Sequence, residues 1–145
     1  MSLGNFKKIL VLAPHTDDGE LGCGGTIAKA IENGASVTYV AFSSADKSLP
    51  KGFPKGTLKK ELLEATRILG IPRKSVLCFE YEVRRFSYHR QEILEDIHRL
   101  RTDLKPELVL APSMNDLHQD HKIVAEECRR IFKRTTMLGY EMPWN

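Results

Sequence analysis

An apolar run, Ile9-Leu10-Val11-Leu12, empties directly into Ala13-Pro14-His15-Thr16-Asp17-Asp18-Gly19-Glu20, and that into Leu21-Gly22-Cys23-Gly24-Gly25. A short apolar run bounded by turn signals reads as a buried strand. The helical pattern that follows begins at Thr26, with Ile27, Ala28 and Ile31 on one face, and Asn33-Gly34 closes it with the residues of a left-handed cap. A strand, a polar loop and a helix are the building unit of open parallel sheets, which keep their chemistry at the strand's exit. The glycines between loop and helix read as room for the chain to turn.

The unit recurs. Residues 36–42 are β-rich and predict a second strand; residues 76–79 predict a third and residues 108–111 a fourth, with Met137-Leu138-Gly139-Tyr140 as a fifth. Helical patterns lie between them, at 58–69, 90–103 and 120–133. Residues 43–56 carry Pro50, Gly52, Pro54 and Gly56 with three lysines; they read either as a solvated loop or as a lid over a site. Residues 80–88 are irregular and contain Arg84 and Arg85. Residues 1–4 carry no pattern and are expected to be loose. Alternating strands and helices predict an α/β fold, a Rossmann-like doubly wound and mostly parallel sheet with helices on both faces. The whole of residues 1–145 is expected to form a single domain.

Right-handed crossovers build such a sheet outward from its middle, in strand order 3-2-1-4-5. Strands one and four are then neighbours, and the loops leaving them diverge to opposite faces and open a crevice. Those loops carry His15-Thr16-Asp17-Asp18 and Asp116-Leu117-His118-Gln119-Asp120-His121. Topology alone therefore predicts that the two polar clusters meet.

Histidines and carboxylates around one crevice suit a divalent transition metal: zinc, with iron or manganese as alternatives. A catalytic zinc needs three protein ligands and an open position, which His15, Asp18 and His121 could supply. Asp17 is placed to take a proton from a metal-activated water, because neighbouring loop residues need not point the same way. His118 could act as electrophile or general acid, with Asp120 as its orienting partner. Each residue alone also has an ordinary reading. Asp-Asp in a loop is commonly a turn or a cap, Asp120 would serve as an N-cap, and Glu20 would complement a helix dipole. His89 and His98 lie outside both clusters and read as surface residues. The glycines match neither GxGxxG nor GxxxxGK[ST], and the carboxylates beside them would repel a phosphate.

Composition excludes other classes. A formal net charge of +3, from 22 basic and 19 acidic residues scattered along the chain, argues against nucleic acid. No apolar run approaches the roughly 18 residues of a membrane span, and residues 1–8 lack the long apolar region expected of a secretory signal. Cys23, Cys78 and Cys128 are odd in number and far apart, which predicts reduced packing residues and a cytoplasmic setting.

The paired motifs resemble the PIG-L/LmbE-like N-deacetylases. The resemblance rests on Pro14-His15-Thr16-Asp17-Asp18, Leu21-Gly22-Cys23-Gly24-Gly25-Thr26 and Asp116-Leu117-His118-Gln119-Asp120-His121. It implies a Rossmann-like fold and zinc-dependent removal of an N-acetyl group from an amino sugar such as an N-acetylglucosamine conjugate. By position, His15, Asp18 and His121 resemble the metal ligands and Asp17 the general base. His118 resembles the residue that stabilises the oxyanion and protonates the leaving amine, and Asp120 the carboxylate that orients it. The chain departs in having Thr16 between His15 and Asp17, and Leu58 where an arginine often stands; Lys59, Lys60, Arg84 or Arg85 are the candidate substitutes. The family continues past the fifth strand, so part of its substrate pocket is expected to be missing here, and an unfinished sheet edge would favour a homo-oligomer. Two further readings stand beside the hydrolase: a non-catalytic metal- or carbohydrate-binding remnant, and a metal-dependent phosphoryl hydrolase. Clustered histidines favour zinc over the magnesium that the phosphoryl hydrolase would use.

Overall fold

Alternation along the strands builds a two-faced sheet. In the computed structural model, which describes residues 5–142, β1 spans Lys8–Ala13, β2 Ser36–Ala41, β3 Val76–Cys78, β4 Leu108–Pro112 and β5 Thr136–Tyr140. The expectation for residues 1–4 falls outside the described residues. All pairings are parallel, and the order is β3-β2-β1-β4-β5, as the crossover argument predicts. Ile9, Val11 and Ala13 of β1 face one layer; Leu10 and Leu12 face the other. Because both faces of β1 are covered, its run is apolar without interruption.

The first layer holds α1 (Asp18–Glu32) and α2 (Thr57–Ile68), with Ile27, Ala30 and Leu62 packed on Val11, Tyr39 and Leu110. The second holds α3 (Arg90–Leu104) and α4 (Gln119–Ile131), with Ile93, Ile97, Val124 and Cys128 packed on Leu10, Leu12, Val40 and Val109. Chain direction reverses its build between β1 and β4, so the loops leaving these two strands open the crevice.

The main departure from the sequence reading is the start of α1. The helix begins at Asp18, before the glycines, and bends at Cys23, whose φ of −146° and ψ of 22° are not helical. Gly19 and Gly22 are packing positions on its inner face. A Cβ on Gly19 would come within 2.7 Å of the Tyr39 ring and 2.8 Å of Val11, and one on Gly22 would strike the Tyr140 ring. Tyr39 completes the corner: its hydroxyl accepts the Gly19 N–H at 3.0 Å and donates to the Thr16 carbonyl at 3.2 Å. An otherwise orphaned first-turn amide is satisfied in this way. Cys23 donates its thiol to the Gly19 carbonyl at 3.0 Å, and burial pushes its pKa up to about 12, so it is the packing residue the sequence suggested.

Other boundaries move by a residue or two. The fourteen-residue span 43–56 contains a 3₁₀ turn, Asp46–Ser48, and a further 3₁₀ turn, Phe86–His89, precedes α3.

Candidate metal centre and active site

The β1 exit and the start of α4 place four buried side chains against one another. Asp18 is turned inward by the helix that it opens, and its Oδ2 accepts the His15 backbone N–H at 2.8 Å. The same oxygen lies 3.2 Å from His15 Nδ1 and 3.2 Å from His121 Nε2, and those two nitrogens are 3.4 Å apart. Asp17, one residue earlier, is exposed and sits at the N-cap without a side-chain capping bond. The adjacent aspartates therefore face opposite ways.

Each histidine of this triangle has its other nitrogen held by a carboxylate. His15 Nε2 donates to Asp120 Oδ2 at 3.0 Å, and His121 Nδ1 donates to Asp116 Oδ2 at 2.7 Å. These bonds fix the orientation of the rings, so that His15 Nδ1 and His121 Nε2 both point at Asp18 Oδ2. Asp120 is fully buried and is held in turn by the backbone N–H groups of Arg84, at 2.5 Å, and Phe86, at 3.3 Å. Arg84 reaches this position with a φ of 68°, a left-handed backbone rarely adopted outside glycine.

His118 stands apart from the triangle. It caps α4: its Nδ1 accepts the Asp120 backbone N–H at 3.1 Å. A neutral ring with Nδ1 so occupied carries its proton on Nε2. The sequence reading made the Asp120 carboxylate the partner of His118; in the structure that link runs through the Asp120 backbone, and the carboxylate serves His15. Asp116, to which the sequence reading assigned no role, orients His121 and also accepts the His118 N–H at 2.9 Å. Its position two residues before His118 marks an Asx-type turn, and that was the available signal.

Charge follows contact. Burial opposes a charged His15, but its bonds to Asp120 and Asp18 outweigh burial and raise its pKa to about 9. His121 is raised in the same way, with burial outweighed by Asp18 and Asp116. Burial would lift Asp18, yet His121 and His15 hold its carboxyl below the usual carboxylate range. His118 moves down, through burial first and then the neighbouring His121 and His15, so it stays neutral. Glu20, in the first turn of α1, is pushed up to about 7 by burial and then by Asp17 and Glu61.

The donor set fits a transition metal. His15, His118 and His121 each offer a nitrogen within 4.8 Å of the others. The tighter triangle is His15 Nδ1, Asp18 Oδ2 and His121 Nε2. Ligands about 2.0–2.2 Å from a tetrahedral zinc lie about 3.3 Å from one another, and the three separations match that edge.

Residues 10–132 match the family described as PIG-L: GlcNAc-PI de-N-acetylase. The chain belongs to the PIG-L family. The diacetylchitobiose deacetylase of Thermococcus kodakarensis is 28% identical over 126 residues, covering 81% of this chain and 46% of that protein. The uncharacterized deacetylase YaiS of Escherichia coli is 28% identical over 149 aligned positions, covering 98% and 77%. The solved structure of the Pyrococcus horikoshii N,N'-diacetylchitobiose deacetylase superimposes with a TM-score of 0.75 at 27% identity, covering 87% of this chain and 49% of that one. This chain thus spans about half the length of the diacetylchitobiose deacetylases that it matches.

Proposed function

We propose that the protein is a zinc-dependent N-deacetylase that hydrolyses the acetamide of an N-acetylated amino sugar, such as an N-acetylglucosamine conjugate. The observation that carries this reading is the triangle of His15 Nδ1, Asp18 Oδ2 and His121 Nε2, with an edge suited to zinc and a neutral imidazole beside it. The PIG-L family and the deacetylase relatives support the choice of bond.

In this reading His15, Asp18 and His121 would hold the metal, which would supply a Lewis acid for a water and for the amide carbonyl. Asp120 and Asp116 orient the two ligand rings. Asp17, facing solvent at the N-terminus of α1, takes the proton of the attacking water. His118 presents its Nε2–H to the carbonyl oxygen as negative charge develops there, and the departing amine takes the proton that Asp17 received from the water. Its depressed pKa suits this duty, since a neutral ring donates without carrying a permanent charge into a site already crowded with cationic groups. A cytoplasmic setting belongs to the same reading and is supported by three free cysteines; no helix among the described residues is long and apolar enough to cross a membrane.

The test is metal content together with acetate release. Protein purified without chelator should carry zinc, and His15→Ala should lose it. Iron or manganese in its place would replace the metal assignment. Asp17→Asn should keep the metal and lose turnover of N-acetylglucosamine conjugates by about 10²–10⁴-fold. Loss of metal in Asp17→Asn would reverse the roles of the two aspartates. Metal without acetate release from any conjugate would favour the non-catalytic remnant.

A further inference from the structure

Hydrolysis asks different things of two adjacent aspartates. Asp18 has its direction fixed by the His15 N–H at 2.8 Å and by the two rings of the triangle. Asp17 is exposed, makes no capping bond, and its carboxylate has no hydrogen bond or ion pair among the described residues. A side chain without partners of its own is aimed by its backbone. Whatever holds the backbone of residues 16–19 therefore aims Asp17.

Tyr39 holds it. The residue comes from β2, stands in register with Val11 of β1, and is fully buried beneath α1. Its hydroxyl takes the Gly19 N–H at 3.0 Å and gives its own proton to the Thr16 carbonyl at 3.2 Å. Thr16 and Gly19 are the first and fourth residues of a turn, the pair that an ordinary β-turn joins directly. Here one oxygen stands between them. The two peptide planes that it grips are the one entering Asp17 and the one leaving Asp18. On the helix side the Asp17 carbonyl accepts the Leu21 N–H at 3.0 Å, so the unit is held there as well. Gly19 is the space that admits the hydroxyl, since a Cβ there would stand 2.8 Å from the oxygen and 2.7 Å from Cε2 of the ring. A buried phenol and a buried amide cannot turn to water instead, so both bonds are kept.

We propose that Tyr39 is a positioning residue of the hydrolase: its hydroxyl keeps the 16–19 turn open by one oxygen and so aims the Asp17 carboxylate at the attacking water. Without the hydroxyl the Gly19 N–H closes on the Thr16 carbonyl and the Asp17–Asp18 peptide rotates. Asp18 is retained by the His15 N–H and the two rings, whereas Asp17 has nothing to retain it. The duty of Asp17 rests on the deacetylase reading; the tie that aims it rests on the two hydrogen bonds.

The test is Tyr39→Phe in the zinc-loaded full chain, with Tyr140→Phe as its matched control. Tyr140 is likewise buried on this face, and its hydroxyl donates to the Leu12 carbonyl at 2.9 Å, so each variant loses stability with one buried hydroxyl. Tyr39→Phe should keep its zinc in chelator competition and keep its KM, and should lose kcat on an N-acetylglucosamine conjugate by about 10–100-fold. Tyr140→Phe should keep both constants. In an Asp17→Asn background Tyr39→Phe should cost nothing further, because the base that it aims is gone. Gly19→Ala severs the same tie from its other end and should reproduce the kcat loss, which reads the proposal should Tyr39→Phe not fold. A crystal structure of either variant should show the Asp17 carboxylate displaced and the His15–Asp18–His121 triangle in place. An unchanged kcat, an equal loss in Tyr140→Phe, loss of zinc from Tyr39→Phe, or the same loss repeated on top of Asp17→Asn overturns the proposal. No acetate release by the unsubstituted chain overturns the hydrolase reading instead; the crystal structures then decide the tie, and an unmoved Asp17 carboxylate overturns it.

Discussion

Oδ2 of Asp116 lies 2.7 Å from Nδ1 of His121, and this one bond decides which face of the ring meets Asp18. Asp116→Ala frees the ring to rotate and to change tautomer. The expected result is a loss of about 10–100-fold in zinc affinity, read by competition with a chelating dye. Asp120→Asn should do the same through His15. An unchanged zinc affinity in both variants would remove the carboxylates from the metal site.

The metal-free protein should lose stability as pH rises. For His15 the folded pKa, about 9, lies above the ordinary 6.5, so its contribution is complete below 6.5 and disappears as pH climbs through 9. Glu20 acts in the same direction over a lower window. Its folded pKa of about 7 exceeds the ordinary 4.5, so ionising it between those values disfavours the folded state. Thermal midpoints of chelated protein should therefore fall in two stages from pH 4.5 to 9. Glu20→Gln should abolish the first stage and keep the second; a flat profile would contradict both assignments.

Two glycines of α1 should respond oppositely to alanine. Gly22→Ala drives a methyl into the buried Tyr140 ring, and a cost of about 1–3 kcal/mol is expected. Gly25→Ala meets nothing within 4 Å, and replacing a helical glycine should add about 0.5–1 kcal/mol. Urea denaturation of the two variants separates them by sign.

Glu127 is fully buried in α4 between Arg90 and Arg130. Its Oε2 receives Arg130 at 2.6 Å, while Oε1 meets Arg90 as a close charge contact without hydrogen-bond geometry. Arg90 also reaches Glu126 at 2.8 Å, which ties α3 to α4 at this point. Glu127→Ala leaves the two guanidinium groups without their shared anion, and a loss of about 3 kcal/mol in unfolding free energy is expected. A cost below about 0.5 kcal/mol would mean that solvent already compensates the group.

The sheet order and the meeting of the two polar loops were legible because each follows from short-range signals: a continuous apolar run means a strand covered on both sides, and handed crossovers leave few orders open. The opposite facing of Asp17 and Asp18 was legible as chemistry. The helix start was not. Gly19 and Gly22 look like loop residues until Tyr39 and Tyr140, distant in sequence, are known to press against them, and only tertiary packing carries that information. Asp120 shows the same limit. Its carboxylate bonds a histidine 105 residues away and its amide bonds one two residues away; sequence proximity could propose only the second partner.

The left-handed turn at Arg84 has a mechanical consequence. The amide that it aims at Asp120 belongs to the segment between β3 and α3, and Asp120 in turn grips His15. That segment and the His15 ring are thus pinned to a single carboxylate. Neither can drift without dragging the other.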